Sequence, residues 1–304
     1  MINSKFLFDK VNEYYSKKAA ERSFSAFLSE DELSNVKGYN EAKYAYKAAV
    51  YDKEKALYLG DEKTAAKKQA EAEELKKTLD KITSSIPEKK PVYECEICKD
   101  TGKTDNGYCK CFKDRLLTEA YGFLDVKRPT LKSFKEDTLS SVNKTELLKS
   151  KLIKYADEFS DGKKNLILFG PAGTGKSFYA QCVTERLEKN GFTPLFLTAF
   201  ELNDIATGAF EKSPAEKIIT DEILSTCDLL VIDDLGSEPI YNKITVENLL
   251  EIISRRTKEN KPILITTNLT TEEILTKYGE RVFSRITGKN TAILQLNGKD
   301  LRKQ

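Results

Sequence analysis

The chain has 304 residues, and its 50 Lys and Arg against 48 Asp and Glu cancel to a formal net charge of +2. That length suffices for two domains, and the balanced charge gives no bulk field of the kind that marks a nucleic-acid or membrane-surface protein, leaving only local patches to consider. No N-terminal apolar stretch resembles a signal peptide, no run approaches the ~18 apolar residues of a membrane span, and histidine is absent; the expectation is a cytoplasmic protein whose acid–base chemistry uses carboxylate, lysine or water.

Residues 1–90 read as a helical region, rich in Lys, Glu and Ala with no proline before Pro87. Ala42, Ala45, Ala49 and Ala56 on one segment, and Ala72, Leu75, Leu79, Ile82 and Ile86 on the next, recur at three- and four-residue spacing on either side of Gly60–Asp61. That pattern predicts an antiparallel helical hairpin. The interleaved Tyr39, Tyr44, Tyr46, Tyr51 and Tyr58 read as packing residues with hydroxyls at the rim, with a partner-binding face as the alternative.

Pro87–Pro91 breaks the helical pattern, and residues 91–126 follow as a small knuckle and short helix. Cys95, Cys98, Cys109 and Cys111 have the spacing C-x2-C-x10-C-x-C, which can bring four thiolates into a tetrahedron around Zn²⁺ with no open position, hence a structural site. The second pair is C-x-C where a ribbon more often has C-x-x-C; redox-active thiols or an iron–sulfur cluster are the competing readings. Cys182 and Cys227 sit singly in apolar patterns and read as core. Phe112–Phe123 is predicted as a helix and Lys127–Ser133 as a linker.

Residues 127–304 alternate helices with short apolar strands, predicted at Asn165–Phe169, Pro194–Thr198, Asp228–Asp233, Pro262–Thr266 and Ala292–Leu296, the mark of a parallel sheet covered on both faces. Between the first strand and the helical Phe178–Asn190 lie Gly170, Pro171, Ala172, Gly173, Thr174, Gly175, Lys176 and Ser177, matching G-x-x-x-x-G-K-[ST] in full. Backbone N–H groups of such a loop surround phosphate, Lys176 reaches the β/γ-oxygens of ATP, and Ser177 ligates Mg²⁺. The run DLLVIDD ends in Asp233 and Asp234, a Walker B pattern: Asp233 to hold Mg²⁺, Asp234 to orient the attacking water. TTN places Thr267 and Asn268 at the same sheet edge, where a neutral amide can hold that water or cap the helix predicted at Thr270–Tyr278. In GERVFSRI, Arg281 and Arg285 share a helix face and fit an arginine finger offered to a neighbouring subunit.

GPAGTGKS, LLVIDDLG, ITTN and ERVFSRI in this order resemble an AAA+ ATPase, and the short form resembles the DnaC/DnaI family of bacterial and phage replicative helicase loaders. C-x-x-C-x-D-T-G followed by C-x-C, directly ahead of the core, looks like the zinc knuckle of such loaders. The resemblance covers about residues 92–297 and implies a sheet order of 5-1-4-3-2 and adenine held near Leu131 and Phe134. It also implies a nucleotide-binding set running from Gly170 through Phe178, Mg²⁺ at Ser177 and Asp233, a sensor at Asn268, and the finger at Arg285 with Arg281 as substitute. Two departures stand out: Asp234 occupies a position where most AAA+ proteins have glutamate, which implies slow turnover, and the sequence leaves no room for a C-terminal helical lid. The family likeness further implies single-stranded DNA contact in Ser237–Lys243, with Tyr241 stacking on a base and Lys243 meeting phosphate. The expected function is ATP-dependent loading of a hexameric helicase onto single-stranded DNA, the cores assembling side by side. The rivals are an IstB-type transposition helper, a non-hydrolysing nucleotide-dependent scaffold, and a small-molecule kinase.

Overall fold

The computed structural model describes residues 1–25, 30–85, 92–139, 141, 145–160, 164–208, 212–240, 244–298 and 300. Its contacts separate two units, Tyr15–Asp100 on one side and Met1–Tyr14 with Thr101–Gln304 on the other.

In the first unit, helix α1 (Lys5–Ser25) enters from the second, followed by α2 (Glu30–Ser34), α3 (Tyr39–Tyr58) and α4 (Glu62–Ser84). Asp61 caps α4, its carboxylate accepting the Thr64 N–H at 3.0 Å. Along α3 the buried alanines are Ala42, Ala49 and Ala56, and on α4 they are Ala65 and Ala72, so the hairpin closes on a seam of methyl groups. Ala45 departs from expectation and is exposed: three residues turn the helix about 300°, off the seam that the seven-residue repeat maintains. Leu75, Leu79 and Ile82 are half-buried, and Ile86 lies outside the described residues. The tyrosines divide. Tyr39 is buried, whereas Tyr44, Tyr51 and Tyr58, at seven-residue intervals, are 70%, 69% and 91% exposed. For these three the packing reading fails, because a two-residue offset from the alanine seam puts them on the opposite face of α3.

The second unit begins its cysteine segment with a small antiparallel ribbon, β1 (Lys103–Thr104) and β2 (Gly107–Tyr108), followed by α5 (Lys110–Phe123) and α6 (Glu146–Asp157). A five-stranded sheet follows: β3 (Asn165–Phe169), α7 (Lys176–Lys189), β4 (Leu195–Thr198), α8 (Ala199–Gly208), α9 (Pro214–Thr226), β5 (Leu230–Leu235), α10 (Ile244–Lys258), β6 (Ile263–Thr267), α11 (Thr271–Ile286) and β7 (Thr291–Gln295). The spatial order is β4-β5-β6-β3-β7 with every pairing parallel, which is the expected 5-1-4-3-2 order of an AAA+-like α/β core. Strands β5 and β6 are buried along almost their whole length, as a sheet covered on both faces requires. Leu166 and Leu168 of β3, Val231 of β5 and Leu264 of β6 pack with Tyr179, Cys182 and Val183 of α7. Cys182 and Cys227 are both core residues, as expected, and burial pushes the Cys182 thiol up to about 12.

The edge strand β4 is covered by α5. The Tyr121 hydroxyl accepts the Phe196 N–H at 2.8 Å and donates to the Phe196 carbonyl at 3.1 Å, so one phenol satisfies both edge groups of that residue. At the base of the sheet the fully buried Arg256 donates to the carbonyls of Leu224 (2.6 Å), Cys227 (3.1 Å) and Pro262 (2.7 Å), tying the end of α9 to the start of β6. Chain residues 1–4 run against the same base. Ile2 N–H donates to Thr193 Oγ1 (2.9 Å), Asn3 N–H to Thr226 Oγ1 (2.8 Å), and the Ile2 side chain is fully buried.

Candidate nucleotide and metal sites

The carboxyl edge of a parallel sheet is where strands hand over to loops, and β3, β4, β5 and β6 here enclose a cleft of about 590 Å³. Its walls include Gly173, Lys176, Ser177, Asp233, Asp234 and Asn268, so the two Walker segments and the TTN strand end converge as expected. The loop between β3 and α7 needs its glycines. A Cβ at Gly170 would lie 2.1 Å from the Leu296 carbonyl oxygen, and Gly175 precedes α7 with φ 99°. The N-terminus of α7 thereby opens its free N–H groups onto the cleft.

The charged groups form a connected chain. Lys176 Nζ donates to the carbonyls of Gly170 and Pro171, both at 2.8 Å, and to Asn268 Oδ1 at 2.6 Å. Asn268 Nδ2 in turn donates to Asp234 Oδ1 at 3.0 Å, so the neutral amide spans the gap between ammonium and carboxylate. Asn268 is not the helix cap: Thr270 caps α11, in a reciprocal box with Glu273. Thr266, which sequence reasoning passed over, donates to Asp233 Oδ1 at 2.6 Å and accepts the Asp234 N–H at 2.8 Å. A register shift between β5 and β6 falls at Asp233–Asp234, and Asp234 has φ 60°. This bulge turns successive carboxylates in different directions, one onto the sheet edge and one toward Asn268.

Burial pushes the Asp233 carboxyl above its ordinary range against hydrogen bonds from Thr266 and Ser177, with Asp234 adding repulsion and Lys176 opposing it. Two oxygen donors in contact, the half-buried Ser177 hydroxyl and the buried, under-neutralised Asp233 carboxylate, fit a hard divalent cation such as Mg²⁺. Leu139, Thr198 and Phe200 also line the cleft with nothing in their sequence context to mark them, and so does Ser237, which opens the segment expected to meet DNA. Phe178 lines it as expected. The adenine pair does not: Phe134 is buried in the core, turned inward by the capped turn Phe134–Glu136, and Leu131 packs against that same cluster. Leu139 takes the position at the cleft, its Cδ1 2.8 Å from where a Cβ on Gly175 would stand.

Helix α11 has the predicted stretch to Tyr278, is broken by a kink at Gly279, whose backbone is non-helical (φ 78°, ψ 168°), and resumes as a second helical stretch to Ile286. Arg281 and Arg285 lie exposed beyond the kink, with Arg285 Nη1 donating to the Arg281 carbonyl at 3.0 Å; neither lines the cleft of its own chain. Tyr241 and Lys243 lie outside the described residues.

The sulfurs of Cys95, Cys98, Cys109 and Cys111 all lie within 4.8 Å of one another. Zn–S bonds of about 2.3 Å at tetrahedral angles put sulfurs about 3.8 Å apart, so the cluster has the dimensions for zinc. Asp100 organises its first turn, accepting the Cys95 N–H at 2.7 Å and the Glu94 N–H at 3.1 Å, while Cys109 N–H donates to the Gly102 carbonyl at 2.9 Å. No described helix is long and apolar enough to cross a membrane.

Known proteins share this core. Replicative helicase loader DnaC of Escherichia coli K12 is 30% identical over 159 residues, 51% of this chain and 63% of DnaC. A putative insertion sequence ATP-binding protein of Sinorhizobium fredii is 32% identical over 139 residues, 46% of this chain and 44% of that protein. The matched part thus spans less than two thirds of each relative's length. Among solved structures, a crystal structure of the DnaC helicase loader aligns with TM-score 0.45 at 21% identity, covering 59% of this chain and 99% of that one. The model of the IstB-like ATP binding protein family matches residues 131–304, from just ahead of the nucleotide cleft through the last strand. More than half of the chain is in that match, and the chain belongs to the IstB-like ATP-binding protein family.

Proposed function

We propose that this protein is an ATPase that loads a hexameric replicative helicase onto single-stranded DNA in replication initiation, nucleotide state switching between holding and release. The observation that carries this reading is the four-sulfur cluster placed ahead of an ATP-binding core, the pairing in which the chain resembles helicase loaders. The likeness to DnaC supports it. In the cleft, Lys176 binds the β/γ-phosphates, Ser177 and Asp233 hold Mg²⁺, Asp234 orients water, and Asn268 senses the γ-phosphate. Bound Mg²⁺ supplies charge neutralisation along the triphosphate; the chain's own residues position it. Arg285, with Arg281 as substitute, acts on the site of a neighbouring copy. The cysteine cluster holds structural zinc. Residues 1–90 form the helicase-binding region, 91–126 the knuckle and 127–304 the ATPase domain, in a cytoplasmic protein. The exposed Tyr44, Tyr51 and Tyr58 supply a partner face on the first of these.

The test is capture of a replicative helicase by the full-length protein, together with phosphate release measured with and without single-stranded DNA. Capture that needs residues 1–90, and turnover lost in Lys176→Ala, are the expected results; a protein that ignores helicase and hydrolyses nothing sinks the proposal. For the metal, about one zinc per chain is expected in the purified protein, lost when Cys95 and Cys98 become serine; a metal-free wild type refutes that part.

A second reading, a transposition-helper ATPase, is favoured by the family description and by the insertion-sequence relative. Gel shifts separate the two, since the helper requires duplex DNA and the loader single strands.

A further inference from the structure

Two buried polar side chains connect the Walker B end of β5 to the helix that carries the arginines. Glu238, 5% exposed, lies just beyond Asp234 on the loop leaving β5. Its Oε2 accepts the Gly236 N–H at 2.8 Å and its Oε1 accepts the hydroxyl of Tyr278. Tyr278, 2% exposed, is the residue immediately before the Gly279 kink in α11. Beside this pair Lys277 Nζ donates to the Gly236 carbonyl at 2.5 Å, and Thr267 Oγ1 donates to the Leu235 carbonyl at 2.6 Å. The loop that follows Asp234 is therefore fastened to α11 at the point where the helix changes direction toward Arg281 and Arg285.

Packing alone does not account for such a pair. Burying a carboxylate is costly, and two apolar side chains of the same size would fill the space more cheaply. What directed hydrogen bonds add is a fixed register between loop and helix. The kink itself is a backbone device: a Cβ at Gly279 would meet nothing within 4 Å, so the glycine serves its positive φ and not a close approach. With the loop held on one side of the kink and the arginines on the other, a shift of Asp234 and Asn268 against a phosphate must move the loop, then Tyr278, then the second half of α11.

We propose that Glu238 and Tyr278 are positioning residues that convert the state of the Asp234–Asn268 end of the cleft into the direction in which Arg281 and Arg285 project toward a second copy of this chain. The inference rests on the ATPase reading above, in which those arginines act on a neighbouring site.

The experiment uses the full chain with ATP and Mg²⁺ at concentrations where copies associate. Tyr278→Phe removes one oxygen; expected is a fall in kcat of about tenfold or more, with KM and nucleotide affinity held within about twofold. Glu238→Ala should match it, while Glu238→Gln, which keeps an acceptor for Tyr278 but turns an NH₂ group toward the Gly236 N–H, should fall between that variant and wild type. Mixing supplies the readout that a merely structural role would not move. An Asp233→Asn chain turns ATP over poorly but keeps Lys176, the Asp234–Asn268 end and its arginines, so adding it should restore turnover to Tyr278→Phe as it does to Arg285→Ala. Wild-type turnover in Tyr278→Phe, or rescue of Arg285→Ala but not of Tyr278→Phe, overturns the inference and leaves the ATPase reading standing. Wild-type turnover in a chain carrying both Arg281→Ala and Arg285→Ala also overturns the inference, whereas absence of turnover in the wild type overturns the ATPase reading itself.

Discussion

The two ends of strand β5 carry aspartates in opposite electrical circumstances. At the entry, Asp228 accepts the Thr193 N–H at 2.9 Å and the Thr193 hydroxyl at 3.0 Å, and pairs with Lys261 Nζ at 3.0 Å and with the amino group of Met1. Burial works against its charge, but the amino group, Lys261 and Thr193 prevail and hold its carboxyl down to about 2. At the exit, Asp233 is buried to a similar degree and its carboxyl is pushed up, since hydrogen bonds from Thr266 and Ser177 and the charge of Lys176 do not offset burial and the repulsion of Asp234. Asp234 beside it has φ 60°. Desolvation is common to both ends; adjacent fixed cations are the difference. A buried carboxylate supplied with its cations is part of the scaffold, whereas one left short of positive charge is where a mobile cation gains most by binding.

Substitutions at the exit end should therefore damage function and spare the fold, and those at the entry end the reverse. The largest expected effect is in trans: Arg285→Ala should keep nucleotide binding nearly intact while assembly-dependent turnover falls about a thousandfold, and equal loss of both would remove the trans-acting role. Asp233→Asn should lower turnover about a hundredfold by weakening the Mg²⁺ site, with a melting temperature no lower than wild type because an uncompensated buried charge is gone. A large drop in melting temperature would erase the contrast between the two ends. Asp228→Asn should do the opposite, costing about 3 kcal/mol by denaturant unfolding, because Lys261 loses its buried partner, while turnover per folded molecule stays close to wild type.

Much of this arrangement was legible in the sequence, and the reason is local. The phosphate loop, the Asp-Asp strand end, the TTN strand end and the cysteine spacing each put their chemistry within a few residues of a strand terminus or turn, so pattern and position coincide. The sheet order came with the family likeness. What stayed hidden depends on residues far apart in the chain. Thr266 serves Asp233 across a strand pairing, Tyr121 caps Phe196 from a helix about 75 positions earlier, and the capped turn at Ser133 buries Phe134 where an adenine contact was expected. Tyr44, Tyr51 and Tyr58 were misread for a different reason: tyrosine suits both a seam and a rim, and only the position of the alanine seam decides between them.

The smallest effect is the sharpest test of the comparison, because it asks for opposite signs from one strand. Asp228 has a folded-state pKa near 2 against an ordinary value of 3.8, so the stability it contributes is fully present above about pH 4 and is lost as pH falls through about 2. The difference corresponds to about 2 kcal/mol. Asp233 has its pKa raised, so the folded chain takes up that proton more readily than the unfolded one, and this group favours the fold increasingly as pH drops below its folded pKa. In urea unfolding of metal- and nucleotide-free protein between pH 6 and pH 2.5, Asp228→Asn should flatten the acid loss of stability, and Asp233→Asn should steepen it. Parallel stability curves for wild type and both variants would mean that the two ends are electrically alike, and the distinction between a scaffold carboxylate and a cation-seeking one would not hold for this strand.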